Sequence, residues 1–502
     1  MKLKVKDVDI ATGGVQIVLL NEEDAHKLDL HHGDRVSVKK GKKITTATLN
    51  IAESRKAVPP GKIGLYEEVL DSLNAKHNDL VDIDIEEKPI GVSYIQKKLQ
   101  GMKLNKQEIN ELVKEIVSNK LTGIELTYFI AACFTNGMTL QETIALTKAI
   151  VKYGSRLDIK KYPIIDKHSS GGVPGNRTTM TIVPIIAAAG LTMPKTSSRS
   201  ITSPAGTADT MEVLAPVSLS LEKMKKVVMK TNACIVWGGA IDLAAADDKL
   251  IKLRHPLALD PEGMLLASIL AKKAAVNSTH VLIDIPLGRD TKIKTRKHAR
   301  HLKRLFIKIG RKLGIHIHVI LTNGEEPIGN GIGPALEARD VLWLLKRDTR
   351  RPLDLEKKSI MMATKILQMA NIKDAKKKVI EILDSGLAYK KMQEIIKAQG
   401  GDPNIDPDKI KIGKYSYTFK APASGRITDI QNFTINKIAR IAGAPVDKGA
   451  GVYFYHKHEG MKIKRGEKLM TIYAENPIRL KYALHILRKI GGIVVDGRTL
   501  KK

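Results

Sequence analysis

The chain has 502 residues, 43% of them apolar, which is too long for one hydrophobic core because cores stop growing near about 250 to 300 residues. We therefore expect three or four domains. The 84 Lys and Arg residues against 53 Asp and Glu leave a net charge of +31, which favours anionic partners without choosing between nucleic acid, nucleotides and phosphate.

Cysteine content and apolar runs exclude several classes of protein. Cys133 and Cys234 are the two cysteines, so a disulfide framework and a cysteine-rich zinc site are excluded, and we expect a cytoplasmic protein. The first residues carry alternating charges where a secretory signal would be apolar. The most apolar stretch, Thr181 to Met193, falls short of the roughly 18 to 20 residues of a membrane helix, so no membrane partner is predicted.

Residues 1–86 contain an internal duplication. Five residues recur 45 positions later: Glu23, Leu28, His32, Asp34 and Val36 align with Glu68, Leu73, His77, Asp79 and Val81. Gly33 aligns with Asn78, and both residue types tolerate the left-handed conformation that ends a helix, so each copy is predicted to run from a helix through that stop into a strand. The pattern resembles a double-psi β-barrel, to which we assign docking or assembly.

Residues 87–158 change to a helical period and predict a small helical domain, with residues from about 246 to 277 packing on it. Its evidence is one apolar face and two capping-box pairs: Ile109, Leu112, Val113 and Ile116 form the face, and Thr122 with Glu125 and Thr139 with Glu142 form the pairs. Such faces are usually core, so we assign no ligand to them.

Residues 159–400 alternate strand-like runs with glycine-rich or serine-rich loops and helices. This alternation predicts a large α/β domain with a central, mostly parallel sheet, whose ligand site lies at the carboxyl ends of the strands. A polar stretch at 398–408 reads as a linker, and residues 405–502 predict an α+β domain. The last domain resembles biotinyl and lipoyl carriers, but Ala474, Glu475 and Asn476 stand where the carrier lysine is expected, so it is interpreted as structural. The whole chain is thus predicted to be an α/β multidomain protein.

The segment from Asp166 to Gly172 predicts a phosphate cradle. Gly171 and Gly172 let backbone amides approach an anion, the following helix adds positive potential, and Lys167 and Ser169 add a cation and a hydroxyl. A glycine-rich turn with a solvated lysine is the alternative. A second loop favours the phosphate cradle, because hydroxyls and one guanidinium also follow the next strand. These residues are Ser197, Ser198, Arg199, Ser200, Thr202, Ser203 and Thr207.

Four motifs in this order resemble the thymidine and pyrimidine-nucleoside phosphorylase family. They are DKHSSGG, AGTADTMEVL, DDKLIKLRHPLALDPEGMLLASILAKK and EEPIGNGIGPALEARD. Within that family the chain is similar to the archaeal AMP phosphorylases, in which an N-terminal barrel precedes the shared body and the first loop reads GGVPGNRTT. The resemblance covers essentially the whole chain.

The resemblance implies a pentosyltransferase: AMP, and also CMP and UMP, would react with phosphate to give free base and ribose 1,5-bisphosphate. It implies that Lys167, Ser169, Thr179 and Ser197 hold phosphate and that Asp260 donates a proton. The nucleotide contacts would be Gly172, Ser198, Arg199, Ser200, Ile201, Thr202, Ser203, Thr207, Ser268 and Lys292, with Thr207 also near phosphate. Arg254 and Lys272 would face the base. Inorganic phosphate is the co-substrate, no cofactor or metal is expected, and a homodimer or larger homo-oligomer is expected.

The residue types fit this chemistry independently, because glycosidic cleavage requires a positioned acid and a cationic phosphate clamp. The alternative role of Asp260 is an ordinary helix cap, since it precedes Pro261 at a helix start. The chain departs from thymidine phosphorylases at Pro174 to Asn176, at Ser203 to Gly206 and at His255-Pro256. These departures argue against the alternative function of a thymidine or pyrimidine-nucleoside phosphorylase, and they put the base contacts of Arg254 and Lys272 in doubt.

Two further alternatives stay open at this level. Gly329, Gly331 and Gly333 resemble a dinucleotide fingerprint, but the GxGxG spacing is incomplete, and tight strand-to-helix packing explains the glycines better. A basic nucleic-acid-binding protein is the alternative from another class, because residues 292–312 are densely basic. An apolar stripe through that segment and the 4% aromatic content argue against nucleic acid as a partner.

Overall fold

The computed structural model describes the whole chain except Glu87, Ile201, Thr202, Asp242, His255, Ala258, His456, Lys457 and Lys502. Two predicted nucleotide contacts, Ile201 and Thr202, therefore lie outside the described residues. The chain forms two compact units, one of Met1–Gly154 with Ala244–Ser268 and one of Ser155–Leu243 with Ile269–Lys502. Among the described residues, no helix combines the length and apolar character needed to cross a membrane.

The first unit begins with a closed six-stranded barrel, which confirms the predicted barrel. Its elements are β1 (Lys2–Asp7), β2 (Ile17–Asn21), α1 (Glu22–Lys27), β3 (Arg35–Lys40), β4 (Lys43–Ala52), β5 (Lys62–Leu65), α2 (Glu67–Leu73) and β6 (Leu80–Ile85). The strand order is β1-β5-β2-β4-β3-β6, with parallel pairing of β1 to β5 and of β2 to β4. Alternate residues of the strands, such as Val5, Val36 and Ile83, fill the interior.

The duplication is visible in the backbone, but the helix stop lies elsewhere than predicted. The left-handed residues after the two helices are Asp29 (φ 53°) and Asn74 (φ 48°), which are again 45 positions apart. Gly33 and Asn78 also have positive φ, but they lie in the turn before the strand. There the Asp34 carboxylate accepts the backbone N–H of His31, and Asp79 accepts that of Lys76. The prediction was wrong because each copy contains two left-handed positions, and the second position, Gly33 or Asn78, lies in the turn after the helix has already ended.

A helical bundle follows the barrel, as predicted. Its helices are α3 (Gly91–Leu99), α4 (Lys106–Val117), α5 (Gly123–Thr135) and α6 (Leu140–Tyr153). Both predicted capping boxes form, because Thr122 and Thr139 exchange side-chain and backbone hydrogen bonds with Glu125 and Glu142. Asn105 makes a third with Glu108.

In the central region, the described residues form five parallel strands in two hydrogen-bonded groups. The elements are β7 (Ile165–Ser169), α7 (Thr178–Ala188), β8 (Met193–Ser197), α8 (Thr207–Met211), α9 (Leu221–Thr231), β9 (Ala233–Trp237), α10 (Ala245–Arg254), α11 (Glu262–Ala275), β10 (His280–Leu287), α12 (Arg296–Leu313) and β11 (His316–Asn323). The orders are β11-β10-β7 and β8-β9, and a parallel bridge from Ile164 to Thr192 links them. In the first unit, α10 packs against α4, α5 and α6.

An apolar helical layer covers this sheet within the second unit. It consists of α13 (Pro334–Leu345), α14 (Leu353–Met369), α15 (Ala375–Asp384) and α16 (Leu387–Gln399), and the short strand β12 (Gly331–Ile332) precedes it. The core gathers residues of these helices around α7, whose residues from Thr178 to Ala187 are all buried. A helix that is apolar all round belongs in the middle of a large core.

The C-terminal part forms two four-stranded antiparallel sheets with two helices. Its elements are β13 (Tyr415–Lys420), β14 (Gly425–Ile430), α17 (Asn432–Ile441), β15 (Gly451–Phe454), β16 (Lys462–Ile463), β17 (Lys468–Ala474), α18 (Pro477–Ile490), β18 (Ile493–Val495) and β19 (Arg498–Leu500). One sheet has the order β12-β15-β17-β13, so it incorporates β12 from the preceding region. The predicted α+β character of this part is confirmed.

Candidate functional site

Lys167 lies at the centre of the predicted phosphate cradle and is itself part of β7. Its side chain is 1% exposed, and its Nζ donates to the Thr178 hydroxyl over 2.9 Å and to the Thr179 hydroxyl over 3.4 Å. Burial lowers the pKa of Lys167 to about 8, with Lys358 and Arg177 acting in the same direction and Asp284 against it. An ammonium held by neutral hydroxyls at the amino end of α7 is well placed to attract an anion.

Ser169 ends the same strand and contacts a buried carboxylate that was not predicted. Its hydroxyl lies 3.3 Å from Asp284 Oδ2, Thr322 donates to Asp284 Oδ1 over 2.6 Å, and Lys358 Nζ lies 3.1 Å from Oδ2. Burial acts to raise the pKa of Asp284, but the charges of Lys358 and Lys167 outweigh it and hold the pKa below its ordinary value. The acid within the apolar run HVLIDI was the one sequence signal for this cluster.

Gly172 and Lys292, both predicted to bind the nucleotide, lie on loops that touch. Gly172 has φ 93°, and a Cβ there would lie 2.7 Å from Thr291 Cα and 3.1 Å from Lys292 N. The side chain of Thr291 is buried and caps its own loop by donating to the carbonyl of Gly288. The structure therefore brings Lys292, whose side chain is exposed, beside the first loop.

The second loop is organised by Asp209 at the start of α8. One oxygen of this carboxylate accepts the backbone N–H groups of Ser200, over 2.7 Å, and of Gly206, over 2.8 Å. Ser203 donates to the carbonyl of Ala205 over 3.0 Å, while Ser197 at the end of β8 donates to the carbonyl of Val236. The backbone of Ser198 packs within 2.6 Å of where a Cβ on Gly206 would lie, so position 206 requires glycine.

Arg199, predicted to contact the nucleotide, is engaged within the protein. Its guanidinium donates to both oxygens of Glu212, over 2.8 and 2.6 Å, and approaches Asp209. The guanidinium also stacks 4.9 Å from the ring centroid of Trp237. The hydrogen bond from Arg199 lowers the pKa of Glu212 to about 2. Arg199 therefore shapes the second loop in this structure.

The residues predicted to face the base and donate the proton lie on α10, α11 and the turn between them. The side chain of Asp260 is 41% exposed, and its Oδ1 lies 3.7 Å from Nε of the buried Arg254. The buried Ser268 hydroxyl donates to Asp247 over 2.6 Å. Lys272 follows one turn later on α11 and is half-buried. Asp260, Arg254 and Ser268 belong to the first unit, whereas the phosphate loops belong to the second.

The glycines of the third loop, Gly329, Gly331 and Gly333, serve packing, which is the role that their spacing favoured. A Cβ on Gly331 would lie 2.6 Å from the backbone of Leu336, and a Cβ on Gly333 would lie 2.3 Å from the carbonyl oxygen of Ala450. The strand β12 joins an antiparallel sheet, which is not the setting of a dinucleotide fingerprint. Among the described residues, no group of three or more His, Cys, Asp or Glu side chains could hold a metal ion.

Three family models match successive parts of the chain, in the order of the regions described above. The model described as "Glycosyl transferase family, helical bundle domain" matches residues 92–154, and "Glycosyl transferase family, a/b domain" matches residues 161–259. The model "Pyrimidine nucleoside phosphorylase C-terminal domain" matches residues 426–493. Among solved structures, anthranilate phosphoribosyltransferase from Thermus thermophilus aligns with a TM-score of 0.50 at 16% identity, over 61% of this chain and 98% of that one. At this identity the likeness shows a shared fold alone.

Curated relatives match from end to end. The AMP phosphorylase of Thermococcus kodakarensis is 46% identical over 505 residues, covering 100% of this chain and 99% of that protein. Those of Pyrococcus furiosus and Methanococcoides burtonii are 45% and 42% identical, each again covering 100% of this chain and 99% of the relative. Together with the barrel, the helical bundle and the α/β domain described above, these matches show that the chain belongs to the AMP phosphorylases, a family of pentosyltransferases.

Proposed function

We propose that the protein cleaves AMP with inorganic phosphate to give adenine and ribose 1,5-bisphosphate, reversibly, in nucleotide degradation and AMP salvage. The observation that carries the proposal is the buried Lys167 with its two threonine hydroxyls, next to a loop that places Gly172 against Lys292. Two phosphate groups repel each other in one cleft, and this arrangement offers a separate cation to each. End-to-end similarity to AMP phosphorylases supports the same substrate.

The reaction needs few chemical groups. An oxygen of the bound phosphate attacks C1′ of the ribose while the bond from C1′ to the base nitrogen breaks, and its electron pair leaves with the base. Lys167 and the hydroxyls of Ser169, Thr178 and Thr179 would hold and orient the attacking phosphate. Asp260 would deliver the proton that neutralises the departing base, a contribution of about 10² to 10⁴ in rate for a positioned acid.

The base range and the assembly are part of the proposal. We include CMP and UMP as substrates, because Lys272 carries an ammonium from which a pyrimidine carbonyl can accept a hydrogen bond. The reaction is proposed to need no metal or organic cofactor, since charged and hydroxyl donors supply the phosphate clamp. We also propose a cytoplasmic homodimer or larger homo-oligomer, to which the barrel contributes.

The decisive experiment measures adenine release from AMP with and without phosphate, in the presence of EDTA. We expect release that requires phosphate, persists in EDTA, and is accompanied by one ribose 1,5-bisphosphate per adenine. Adenosine and thymidine serve as matched substrates that lack the 5′-phosphate, and both should react far more slowly. Equal release without phosphate, or a preference for thymidine, would contradict the proposal.

A further inference from the structure

Arg177 is a buried residue to which neither the phosphate clamp nor the nucleotide contacts assign a role. Its side chain is 11% exposed, and the residue lies in the first loop, immediately before Thr178 and Thr179. The guanidinium uses three nitrogens on three partners. Nε donates to the buried Glu337 carboxylate, Nη2 donates to the carbonyl of Ala205 over 2.6 Å, and Nη1 lies 3.3 Å from the Thr207 hydroxyl.

The three partners lie in two other parts of the second unit. Ala205 and Thr207 end the serine-rich second loop, and Glu337 lies in the first turn of α13, directly after the glycine-rich third loop. Glu337 also accepts from the Thr210 hydroxyl over 3.0 Å and from the backbone N–H of Gly333 over 3.1 Å. One guanidinium therefore joins the loops that follow β7 and β8 to the first turn of α13.

The connection reaches the phosphate clamp through adjacent residues. Thr178 and Thr179, next along the chain from Arg177, accept from Lys167 Nζ. Thr207, on the other side of the guanidinium, is a predicted ligand of the same phosphate and of the nucleotide. Any displacement of Arg177 thus changes the spacing between hydroxyls of the first loop and the hydroxyl of the second.

We propose that Arg177 is a positioning residue of the phosphate site, which holds the Thr207 hydroxyl in register with Lys167, Thr178 and Thr179 so that donors from both loops meet one phosphate. The inference rests on the proposed function. A lysine cannot replace the arginine here, because its single nitrogen cannot span three acceptors in fixed directions. Glu337 balances the buried charge, since an unpaired guanidinium at this depth would be strongly unfavourable.

The first test compares Arg177→Lys with wild type and with Arg347→Lys. Arg347 is a matched control because it also pairs with a glutamate, Glu356, but lies in the turn after α13. For Arg177→Lys we expect the KM for phosphate to rise about ten- to hundredfold. The KM for AMP should rise less, because of the predicted nucleotide contacts only that of Thr207 depends directly on the guanidinium, whereas those of Gly172 and Lys292 do not. Equal changes in both KM values, or a lower Tm with unchanged KM values, would overturn the proposal.

Two further double variants keep the test independent of whether Arg177→Lys folds normally. Arg177→Met with Glu337→Met removes the pair together, a change that proteins often tolerate, and it should reproduce the rise in phosphate KM. Thr207→Ala combined with Arg177→Lys should weaken phosphate binding no further than either change alone, if Arg177 acts through Thr207. If the losses of phosphate affinity are additive, Arg177 does not act through Thr207.

Titration of the proteins with inorganic phosphate alone separates this inference from the proposed function. Binding of phosphate does not require that AMP be the substrate. If wild type binds phosphate and Arg177→Lys binds it equally well, Arg177 has no positioning role even if AMP is cleaved. If wild type releases no adenine from AMP but the variant has lost phosphate affinity, the proposed substrate is wrong and the role of Arg177 stands.

Discussion

At the scale of single residues, the phosphate site depends on how a buried lysine keeps its charge. Burial lowers the pKa of Lys167, the nearby cations Lys358, Arg177 and Lys273 lower it further, and the carboxylate of Asp284 acts in the other direction. An incoming phosphate supplies the missing negative charge. Affinity for phosphate and protonation of Lys167 are therefore coupled.

This coupling predicts a specific pH dependence. The pKa of Lys167 is lowered to about 8, so the free enzyme loses this positive charge as the pH rises through that value. After correction for the titration of phosphate itself, the KM for phosphate should rise toward about tenfold per pH unit above pH 8, while kcat changes less because bound phosphate favours the charged lysine. Lys167→Arg, which stays charged, should give a flatter profile. A KM for phosphate that is constant from pH 7 to 9.5 would contradict the prediction.

Asp260 offers a second test at this scale. If it is the general acid, Asp260→Asn should lower kcat by roughly 10² to 10⁴ while AMP still binds. If it serves as a cap before α11, the loss should be small, because Asn caps helices as well as Asp. Glu262→Gln changes the neighbouring carboxylate and is the control, with a change of less than about threefold expected for a residue outside the chemistry. Near-wild-type kcat in Asp260→Asn would return this residue to a structural role.

Residue roles were the part of the site that the sequence predicted least completely. Lys167, Ser169 and Gly172 follow from a local pattern, because a cation, hydroxyls and glycines before a helix are enough to predict an anion site. Arg177 and Glu337 are 160 positions apart, and Asp284 is 115 positions from Ser169. Contacts over such separations depend on the order of strands in the sheet, which no local pattern contains.

At the scale of elements, the sequence was most reliable in predicting features whose residues lie within one helical turn of each other. The capping boxes of α5 and α6 formed where their spacing placed them, because both partners lie three residues apart. The strand β7 extends through Lys167 to Ser169, into the segment from Asp166 to Gly172 that the sequence assigned to the phosphate cradle. Its backbone pairs with β10, where Lys167 lies opposite Leu282, and this pairing continues the strand into polar residues. The carboxyl end of β7 is therefore set by its pairing with β10 and not by the composition of its own residues.

The two glycines of the first loop, Gly171 and Gly172, should respond differently to replacement by alanine. Gly171 (φ 87°) and Gly172 (φ 93°) share the backbone conformation that disfavours other residues, but a Cβ on Gly171 meets open space. A Cβ on Gly172 would overlap the backbone of the loop that carries Lys292. Gly171→Ala therefore reports the cost of positive φ alone, and Gly172→Ala adds displacement of that loop.

We expect Gly172→Ala to raise the KM for AMP at least about tenfold more than Gly171→Ala, since a displaced ammonium loses a charged hydrogen bond to the 5′-phosphate. Steady-state kinetics with AMP measures the difference, and adenosine is the control because it has no 5′-phosphate. Equal KM values for AMP in the two variants would show that the contact between these loops does not matter for the nucleotide.

At the scale of the whole molecule, the second unit ties the C-terminal sheets to the loops of the site. The Arg440 guanidinium lies 3.3 Å from the carbonyl of Ser203, and Lys448 pairs with Glu212 over 2.8 Å. Asn432 donates to the carbonyl of Gly324 at the end of β11. These contacts support the interpretation of the C-terminal part as a structural module, because it contacts both the second loop and the end of β11.

The net charge of +31 belongs to the molecule rather than to the site. A large share of it lies on α12, whose buried side chains include Leu302, Phe306 and Ile309 while its basic side chains face solvent. The exposed basic residues of this helix are Arg296, Lys297, Arg300, Arg304, Lys308, Arg311 and Lys312. Such a face attracts any polyanion through counterion release, without reading its sequence.

We therefore predict weak and salt-sensitive retention on a polyanion column, lost by about 0.2 M salt, while AMP cleavage persists there. Replacing Arg300, Arg304 and Lys308 of α12 by Gln should reduce the slope of log affinity against log salt by about 3, because each cation contributes about one unit. Replacing three exposed lysines of α15, Lys376, Lys377 and Lys378, is the matched control and should change the slope less if α12 is the main contact. Retention above about 0.5 M salt, or preference for one nucleic-acid sequence, would require contacts beyond phosphate charge and would reopen the nucleic-acid alternative.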